Sequence, residues 1–153
     1  MPAKTVKRNF WQLLFGITST KLPRDAKCWS YNDGRVILDL SRAPELKKPG
    51  GAIRMEGDKL PVRILVIHGF DGKFHAFHNS CPQSGRRLDP VPGTRTVQCC
   101  SFNVSTYDYQ GKAIAGSGKR KLKVYPIRDE NLSQENITVF RNILETILSI
   151  QIQ

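Results

Sequence analysis

Cysteines are the residues of this 153-residue sequence best suited to chemistry, and three of the four lie in two neighbouring stretches. Residues 78–90 read HNSCPQSGRRLDP, and residues 97–108 read VQCCSFNVSTYD. Thiolates bind metal ions and iron–sulfur clusters, and two nearby thiols can instead close a disulfide. The two stretches therefore indicate either a metal or cluster site or the remains of one.

Cysteine number and the N-terminal sequence bear on the compartment. Four cysteines, two of them adjacent, are too few for a disulfide scaffold in a chain of this length, and no secretory signal is evident. We therefore expect a reducing, cytoplasmic compartment. Import into an organelle matrix is the alternative, because residues 1–24 are basic and contain no Asp or Glu. No apolar run approaches the about 18 residues of a transmembrane segment.

Net charge predicts the kind of partner. The chain carries 24 basic and 13 acidic residues, a net charge of +11, which favours an acidic protein face or an anionic membrane surface. A soluble basic surface with no specific partner is the alternative. No zinc-finger or RNP-type motif accompanies the charge, so we do not expect nucleic acid binding. The candidate docking patch, called the basic patch below, consists of Lys119, Arg120, Lys121 and Lys123.

Periodicity predicts a mostly β protein with a helix at each end. From residue 35 onward, short alternating segments are separated by Gly, Asn and Pro, which is typical of an antiparallel β sandwich or barrel. VRILVIHG and KFHAFHN are expected to form a hairpin across Phe70-Asp71-Gly72. The expected units are an N-terminal helical extension over residues 1–34, a β domain over 35–140 and a C-terminal helix over 141–153.

Each of the two predicted terminal helices has two possible roles. Apolar residues recur at helical spacing within residues 4–17, so this segment either packs on the domain or makes a peripheral membrane contact. The C-terminal stripe either covers a sheet edge or docks a partner.

Residues 65–127 resemble a Rieske-type ferredoxin domain. Such domains carry a C-x-H and a C-x-x-H stretch on two loops, with a two-iron two-sulfur cluster held by two cysteines on one iron and two histidines on the other. DGKFHAFHNSCP is similar to the strands before the first cluster loop and GRRLDP to the linker after it. STYDYQGKAIAG is similar to the aromatic–Asp strand after the second loop, and LKVYPI to the closing strand. The resemblance implies a Rieske-like antiparallel β sandwich or barrel, with the cluster loops within residues 78–108.

The expected histidines are missing from both loops. Gln83 stands where the resemblance expects a histidine after Cys81. When Tyr107-Asp108 is aligned with the aromatic–Asp pair of the family, Cys100 is the second cysteine of the motif. Asn103 then takes the place of the second histidine. An amide does not match imidazole as a ligand for iron, so the resemblance implies an incomplete ligand set.

Three other residues are candidate substitute ligands. His78 lies close to Cys81 in sequence, and Cys99 with the distant Cys28 would extend an all-thiolate set for iron–sulfur or zinc. Their spacing matches no common metal-binding pattern. The resemblance also implies that the sulfurs of Cys81 and Cys100 lie close together, so a disulfide between them is a hypothesis for a metal-free protein.

These features predict a non-enzymatic component of a redox system. We expect a cluster-free or redox-switch interaction subunit, with no cofactor, which binds a redox enzyme or reductase through an acidic face on that partner. The small subunit of assimilatory nitrite reductases, which resembles Rieske domains but lacks the cluster ligands, is a precedent. The alternative is an electron-transfer ferredoxin that holds a 2Fe-2S cluster through a non-standard ligand set including Cys81 and Cys100. No motif for catalysis is present, so no catalytic residue is predicted.

Overall fold

The computed structural model describes residues 5–117, 119–129 and 136–139. These contain one α-helix, α1 (Phe10–Phe15), and two 3-10 turns at Leu40–Arg42 and Pro44–Leu46. The strands are β1 (Trp29–Asn32), β2 (Arg35–Asp39), β3 (Ala52–Met55), β4 (Ile64–His68), β5 (Phe74–His78), β6 (Leu88–Pro90), β7 (Thr96–Cys99), β8 (Thr106–Asp108), β9 (Ala113–Ala115), β10 (Val124–Tyr125), β11 (Ile127–Asp129) and β12 (Asn136–Val139).

These strands form three four-stranded antiparallel sheets. Their orders are β1-β2-β12-β11, β10-β5-β4-β3 and β6-β7-β8-β9. The third sheet matters for function, because the two cysteine loops enter it: one joins β5 to β6 and the other joins β7 to β8. The predicted mostly β, antiparallel fold is confirmed.

The middle sheet is buried on both faces, which explains the continuous apolar run ILVI in β4. Ile64 and Val66 belong to one hydrophobic core, with residues of β2 and β3. Leu65 and Ile67 alternate with them and belong to a second core, with Cys81, Cys99 and Tyr107 among its members. Successive side chains of a strand point to opposite faces, so a strand between two cores is apolar throughout. The cysteine loops are thus built on the second core.

The predicted hairpin of the middle sheet is present. β4 and β5 pair from Ile64 opposite His78 to His68 opposite Phe74, and Gly72 supplies the left-handed turn conformation at φ 77°. The stretch LKVYPI, expected from the resemblance to be one closing strand, is instead divided between β10 and β11, with Pro126 between them. Proline lacks the N–H group that would continue a ladder.

A strand forms inside the expected N-terminal helical extension. β1 pairs antiparallel with β2, with Asn32 opposite Arg35. Asp33 and Gly34 form the turn, both at positive φ (51° and 76°). An Asp-Gly pair before an alternating strand is a strong hairpin signal, so the sequence did contain the information for this strand.

The predicted N-terminal helix is short because glycine ends it. Asn9 and Gln12 form a reciprocal capping box at the start of α1, and Gly16 ends it in the left-handed conformation at φ 62°. The C-terminal helix predicted over 141–153 lies outside the described residues. Within those residues, no helix has the length and apolar character that crossing a bilayer requires.

Candidate functional site

The first cysteine loop turns tightly after β5. The Cys81 N–H donates to the Arg86 carbonyl and the Gly85 N–H donates to the Cys81 carbonyl, both at 2.8 Å. These bonds turn the Cys81 side chain into the second core, where only 2% of the residue is exposed. Gln83, at the tip of this turn, is exposed.

The second cysteine loop is closed by its own backbone. The Cys99 N–H donates to the Ser105 carbonyl at 2.9 Å, and the Val104 N–H donates to the Ser101 carbonyl at 3.2 Å. Val104 has φ 44°, a left-handed conformation that is strained for a β-branched residue. Asn103, directly before it, is exposed. Both amides that replace the expected histidines therefore lie at the surface.

Hydrogen bonds join the two loops. The Cys100 N–H donates to the Arg87 carbonyl at 2.9 Å, and the Arg86 guanidinium donates to the Cys100 carbonyl at 3.1 Å. The Ser84 hydroxyl lies 3.2 Å from the Cys99 Sγ. The two cysteine loops therefore lie side by side in the fold.

Within this junction, Cys81 pairs with Cys99. Their thiols lie within hydrogen-bonding reach of each other, and the Tyr107 hydroxyl is 3.4 Å from the Cys81 Sγ. The hydrogen bond from Cys99 lowers the pKa of Cys81 to about 5. The Tyr107 hydroxyl and the backbone N–H groups of Gln83 and Ser84 also lower this pKa, whereas burial raises it. The Cys81 thiolate and burial raise the pKa of Cys99. The contact therefore favours the thiolate form of Cys81 and the protonated form of Cys99.

Cys100 faces a different group. Its thiol donates to the Asp89 carboxylate at 3.4 Å, and burial together with Asp89 raises its pKa to about 12. Neighbouring residues of an extended chain point to opposite sides, so Cys99 and Cys100 do not share a partner. The Cys81–Cys100 disulfide stays a prediction, and the contacts favour Cys99 over Cys100 as the partner of Cys81.

Mild oxidation is expected to join Cys81 to Cys99. With diamide as oxidant, both thiols lose their protons, one S–S bond forms, and the diazene takes up two electrons and two protons. The Cys81 thiolate attacks, so the rate should fall as pH falls toward the Cys81 pKa of about 5. Thiol titration and peptide mapping before and after diamide measure the loss of two thiols. Cys99→Ser should abolish this loss and Cys100→Ser should leave it intact; the reverse order would contradict the assignment.

Solved structures with a similar fold include two ferredoxins. The ferredoxin of carbazole 1,9a-dioxygenase from Nocardioides aromaticivorans superposes with a TM-score of 0.52, covering 67% of this chain and 92% of its own, at 20% identity. The Sphingomonas yanoikuyae B1 ferredoxin superposes with a TM-score of 0.50, covering 61% of this chain and 88% of its own, at 22% identity. Both are Rieske-type ferredoxins. The chain has a Rieske-type fold.

A sequence relative is part of a larger protein. A 71-residue stretch is 32% identical to the glycine betaine monooxygenase oxygenase subunit of Pseudomonas aeruginosa. The match covers 46% of this chain and 16% of that subunit, so the chain spans a minor part of the relative's length. No family model matches the chain. At the level of fold, the resemblance to Rieske-type ferredoxin domains is confirmed.

The three histidines are engaged away from the loops of this Rieske-type fold. His78, the candidate substitute ligand, directs Nδ1 to the Tyr125 hydroxyl at 3.1 Å, and burial lowers its pKa. The other two rings bind a backbone carbonyl and a carboxylate: His68 Nδ1 to Leu46 O at 2.9 Å, and His75 Nε2 to Asp71 Oδ2 at 2.8 Å. None of these hydrogen bonds points to a cysteine.

The residues present do not fit a Rieske cluster. Such a cluster requires two thiolates and two imidazoles, whereas the loops offer cysteines and the exposed amides Gln83 and Asn103. Cys28 belongs to the first core rather than the second, and burial raises its pKa to about 11. Within residues 5–117, 119–129 and 136–139, no group of three or more His, Cys, Asp or Glu side chains is placed to hold a metal ion.

Asp89 is the central polar residue that sequence reasoning missed. It is fully buried with Arg8, whose guanidinium lies 2.8 Å from the carboxylate. The same carboxylate accepts from the N–H groups of Ser19 and Thr20, each at 2.8 Å, and from the Thr18 hydroxyl. Asp89 thereby fastens the N-terminal segment, residues 5–20, to the sheet that carries the second cysteine loop.

The N-terminal segment also bonds directly to β7. The Arg8 guanidinium donates to the carbonyls of Cys99 at 3.1 Å and Gln98 at 3.4 Å. The Val6 N–H donates to the Gln98 side chain at 3.1 Å. The segment therefore lies beside the strand that leads into the second cysteine loop.

The basic patch follows in sequence a glycine, Gly116, that packs on that loop. Gly116 packs so closely that an added Cβ would lie 2.7 Å from the Ser105 Cα and 2.8 Å from the Asn103 carbonyl oxygen. The following residues 119–121 are exposed, whereas Lys123 is half-buried. Three of the four predicted patch residues are thus at the surface.

Proposed function

We propose that this chain is a cluster-free interaction module of a redox system, in which the two cysteine loops serve docking rather than electron transfer. The observation that carries the proposal is the ligand set. Amides occupy both histidine positions and are exposed, and the three histidines bind other groups. The proposal assigns no catalytic residue.

The partner of this module is a redox enzyme or reductase with an acidic face. The net charge of +11 favours such a partner, and Lys119, Arg120 and Lys121 of the basic patch are exposed. Complementary charge at an interface raises the association rate and selects the partner. The Cys81–Cys99 pair would add redox sensitivity, because a disulfide between them would fasten the two loops together.

A second candidate function is electron transfer through an unusual cluster. The lowered pKa of Cys81 favours it, because a thiolate is the form in which cysteine binds iron. It requires donors other than imidazole from the loops, since His78 bonds to Tyr125. For this reason the cluster-free function ranks first.

Iron and sulfide analysis separates the two functions. We expect protein purified without oxygen to contain no iron or acid-labile sulfide, and to remain colourless after reconstitution with both. It should also show the same thermal unfolding curve with and without a chelator. Two irons and two sulfides per chain, lost in Cys81→Ser, would overturn the cluster-free function and establish the carrier.

A further inference from the structure

We propose that the N-terminal helix and the second cysteine loop form a membrane-docking face for anionic lipid. The face, called the aromatic patch, comprises large apolar side chains that are 40–67% exposed. They are Phe10 at 60%, Trp11 at 62%, Leu14 at 40%, Phe15 at 67%, Ile17 at 48% and Phe102 at 53%. This proposal does not depend on whether a cluster binds.

The aromatic patch is continuous although it comes from two parts of the chain. The Phe10 ring contacts the Trp11 ring at 5.6 Å and the Phe102 ring of the second loop at 6.0 Å between centroids. Trp11 in turn stacks on Phe15 at 6.0 Å. Apolar side chains in contact with each other at the surface of a protein mark an interaction site.

Tertiary contacts fix the helix so that the side chains of the aromatic patch are exposed to solvent. A helix of six residues is too short to be stable alone, so tertiary contacts must fix it. The Arg86 guanidinium donates to the carbonyls of Leu13 and Leu14, and Asp89 anchors the flanking segment through Arg8. No residue of α1 is fully buried. The helix thus contributes its backbone to the fold and leaves its aromatic side chains free.

The segment that carries most of the aromatic patch has a charge that favours an anionic surface. Residues 1–24 contain no Asp or Glu, and Lys7, Lys21 and Arg24 of this segment are exposed. Cations that flank exposed Trp and Phe are the composition of segments that lie in a membrane interface. Exposed Trp and Phe in a basic segment fit an anionic lipid interface, so we assign this surface to lipid, while the basic patch remains the surface for the acidic redox partner.

Vesicle sedimentation tests the proposal. The full chain is mixed with vesicles of phosphatidylcholine alone or of phosphatidylcholine with phosphatidylglycerol. We expect binding to the anionic vesicles only, weakened by salt. Trp11→Ala/Phe15→Ala should reduce the partition coefficient at least about tenfold, because two exposed aromatic side chains no longer enter the interface. In Trp29→Phe, where Trp11 is the remaining tryptophan, its fluorescence should shift to shorter wavelength on binding.

A matched control variant separates loss of the aromatic patch from a general loss of exposed apolar surface. Ile37→Ala/Ile114→Ala removes two other exposed apolar side chains, 43% and 51% exposed, and should bind vesicles like the wild type. Thermal unfolding checks that each variant folds. The proposal is overturned if the wild type ignores anionic vesicles, if neutral vesicles bind equally well, or if the aromatic variant still binds. Absence of vesicle binding together with self-association that Trp11→Ala/Phe15→Ala abolishes would assign the patch to a second copy instead.

Discussion

Replacement of Asp89 by alanine is expected to lower the free energy of unfolding by about 3–5 kcal/mol, because it leaves the buried Arg8 guanidinium without its charge partner. The variant also removes the acceptor of the Ser19 and Thr20 N–H groups, which lie in the N-terminal segment. Denaturant unfolding measures the change. Arg8→Met should cost less, because Asp89 keeps its hydrogen bonds from residues 18–20.

A surface ion pair provides the control for Asp89. Arg42 and Asp25 are joined at 2.6 Å, but their side chains are 44% and 36% exposed. Solvent screens such a pair, so Asp25→Ala should leave the free energy of unfolding nearly unchanged. Similar losses for Asp89→Ala and Asp25→Ala would contradict the role given to the buried pair.

The pH dependence of the Asp89 contribution has a definite sign. Burial alone would raise its pKa, but hydrogen bonds from Ser19, Thr18, Arg8 and Thr20 outweigh burial and hold the pKa below the ordinary value. A carboxyl group with a depressed pKa stabilises the fold fully above the pKa of the unfolded chain, about 3.9 for Asp. The stabilisation is lost as pH falls through the lower folded value. The stability difference between wild type and Asp89→Asn should therefore stay constant above the unfolded pKa of about 3.9 and shrink as pH falls from there through the lower folded pKa.

Local signals explain what the sequence could predict about the fold. The alternating segments and the Asp-Gly turn of the β4–β5 hairpin are encoded by neighbours in sequence, and they formed as expected. GRRLDP was assigned to a linker by its resemblance to the family, yet its last three residues form β6, in which Leu88 pairs with Cys99 in the third sheet. The Arg8–Asp89 pair spans 81 residues, and no local pattern indicates which carboxylate an N-terminal arginine will meet.

The two adjacent cysteines show which part of the candidate site could not be predicted from the sequence. Cys99 and Cys100 have the same chemistry, and their difference lies only in which side of the extended chain each thiol occupies. The register of β7 sets that side, with Cys99 opposite Leu88. Aligning Tyr107-Asp108 with the family motif identifies which cysteine occupies the motif position. It does not predict to which side of the strand that thiol points. That is why Cys99, rather than Cys100, was found beside Cys81.

Restoring both histidines is expected to create a cluster site. In Gln83→His/Asn103→His, two imidazoles join Cys81 and Cys100 to give the Rieske donor set of two thiolates and two histidines. Both substituted positions are exposed, so the rings displace no buried atoms. The Cys100 thiol must leave Asp89, which breaks a sulfur hydrogen bond of 3.4 Å, and the second loop must turn it to the side on which Cys99 now contacts Cys81. Reconstitution should then give two irons and two sulfides per chain, a brown colour and a Rieske-type electron paramagnetic resonance signal, all absent from the wild type.

A variant shifted by one position tests the frame of the second loop. Gln83→His/Phe102→His places the second histidine three residues after Cys99 instead of Cys100, and Cys99 is the thiol that already contacts Cys81. If the Tyr107-Asp108 frame is correct, this variant stays colourless, and Cys100→Ser abolishes the cluster of Gln83→His/Asn103→His while Cys99→Ser preserves it. A cluster in the Phe102 variant alone would contradict the frame and make Cys99 the ligand. Both variants add two histidines to the same two loops and differ only in the position of the second one. The comparison therefore shows which cysteine is the ligand, because the number of imidazoles is the same in both.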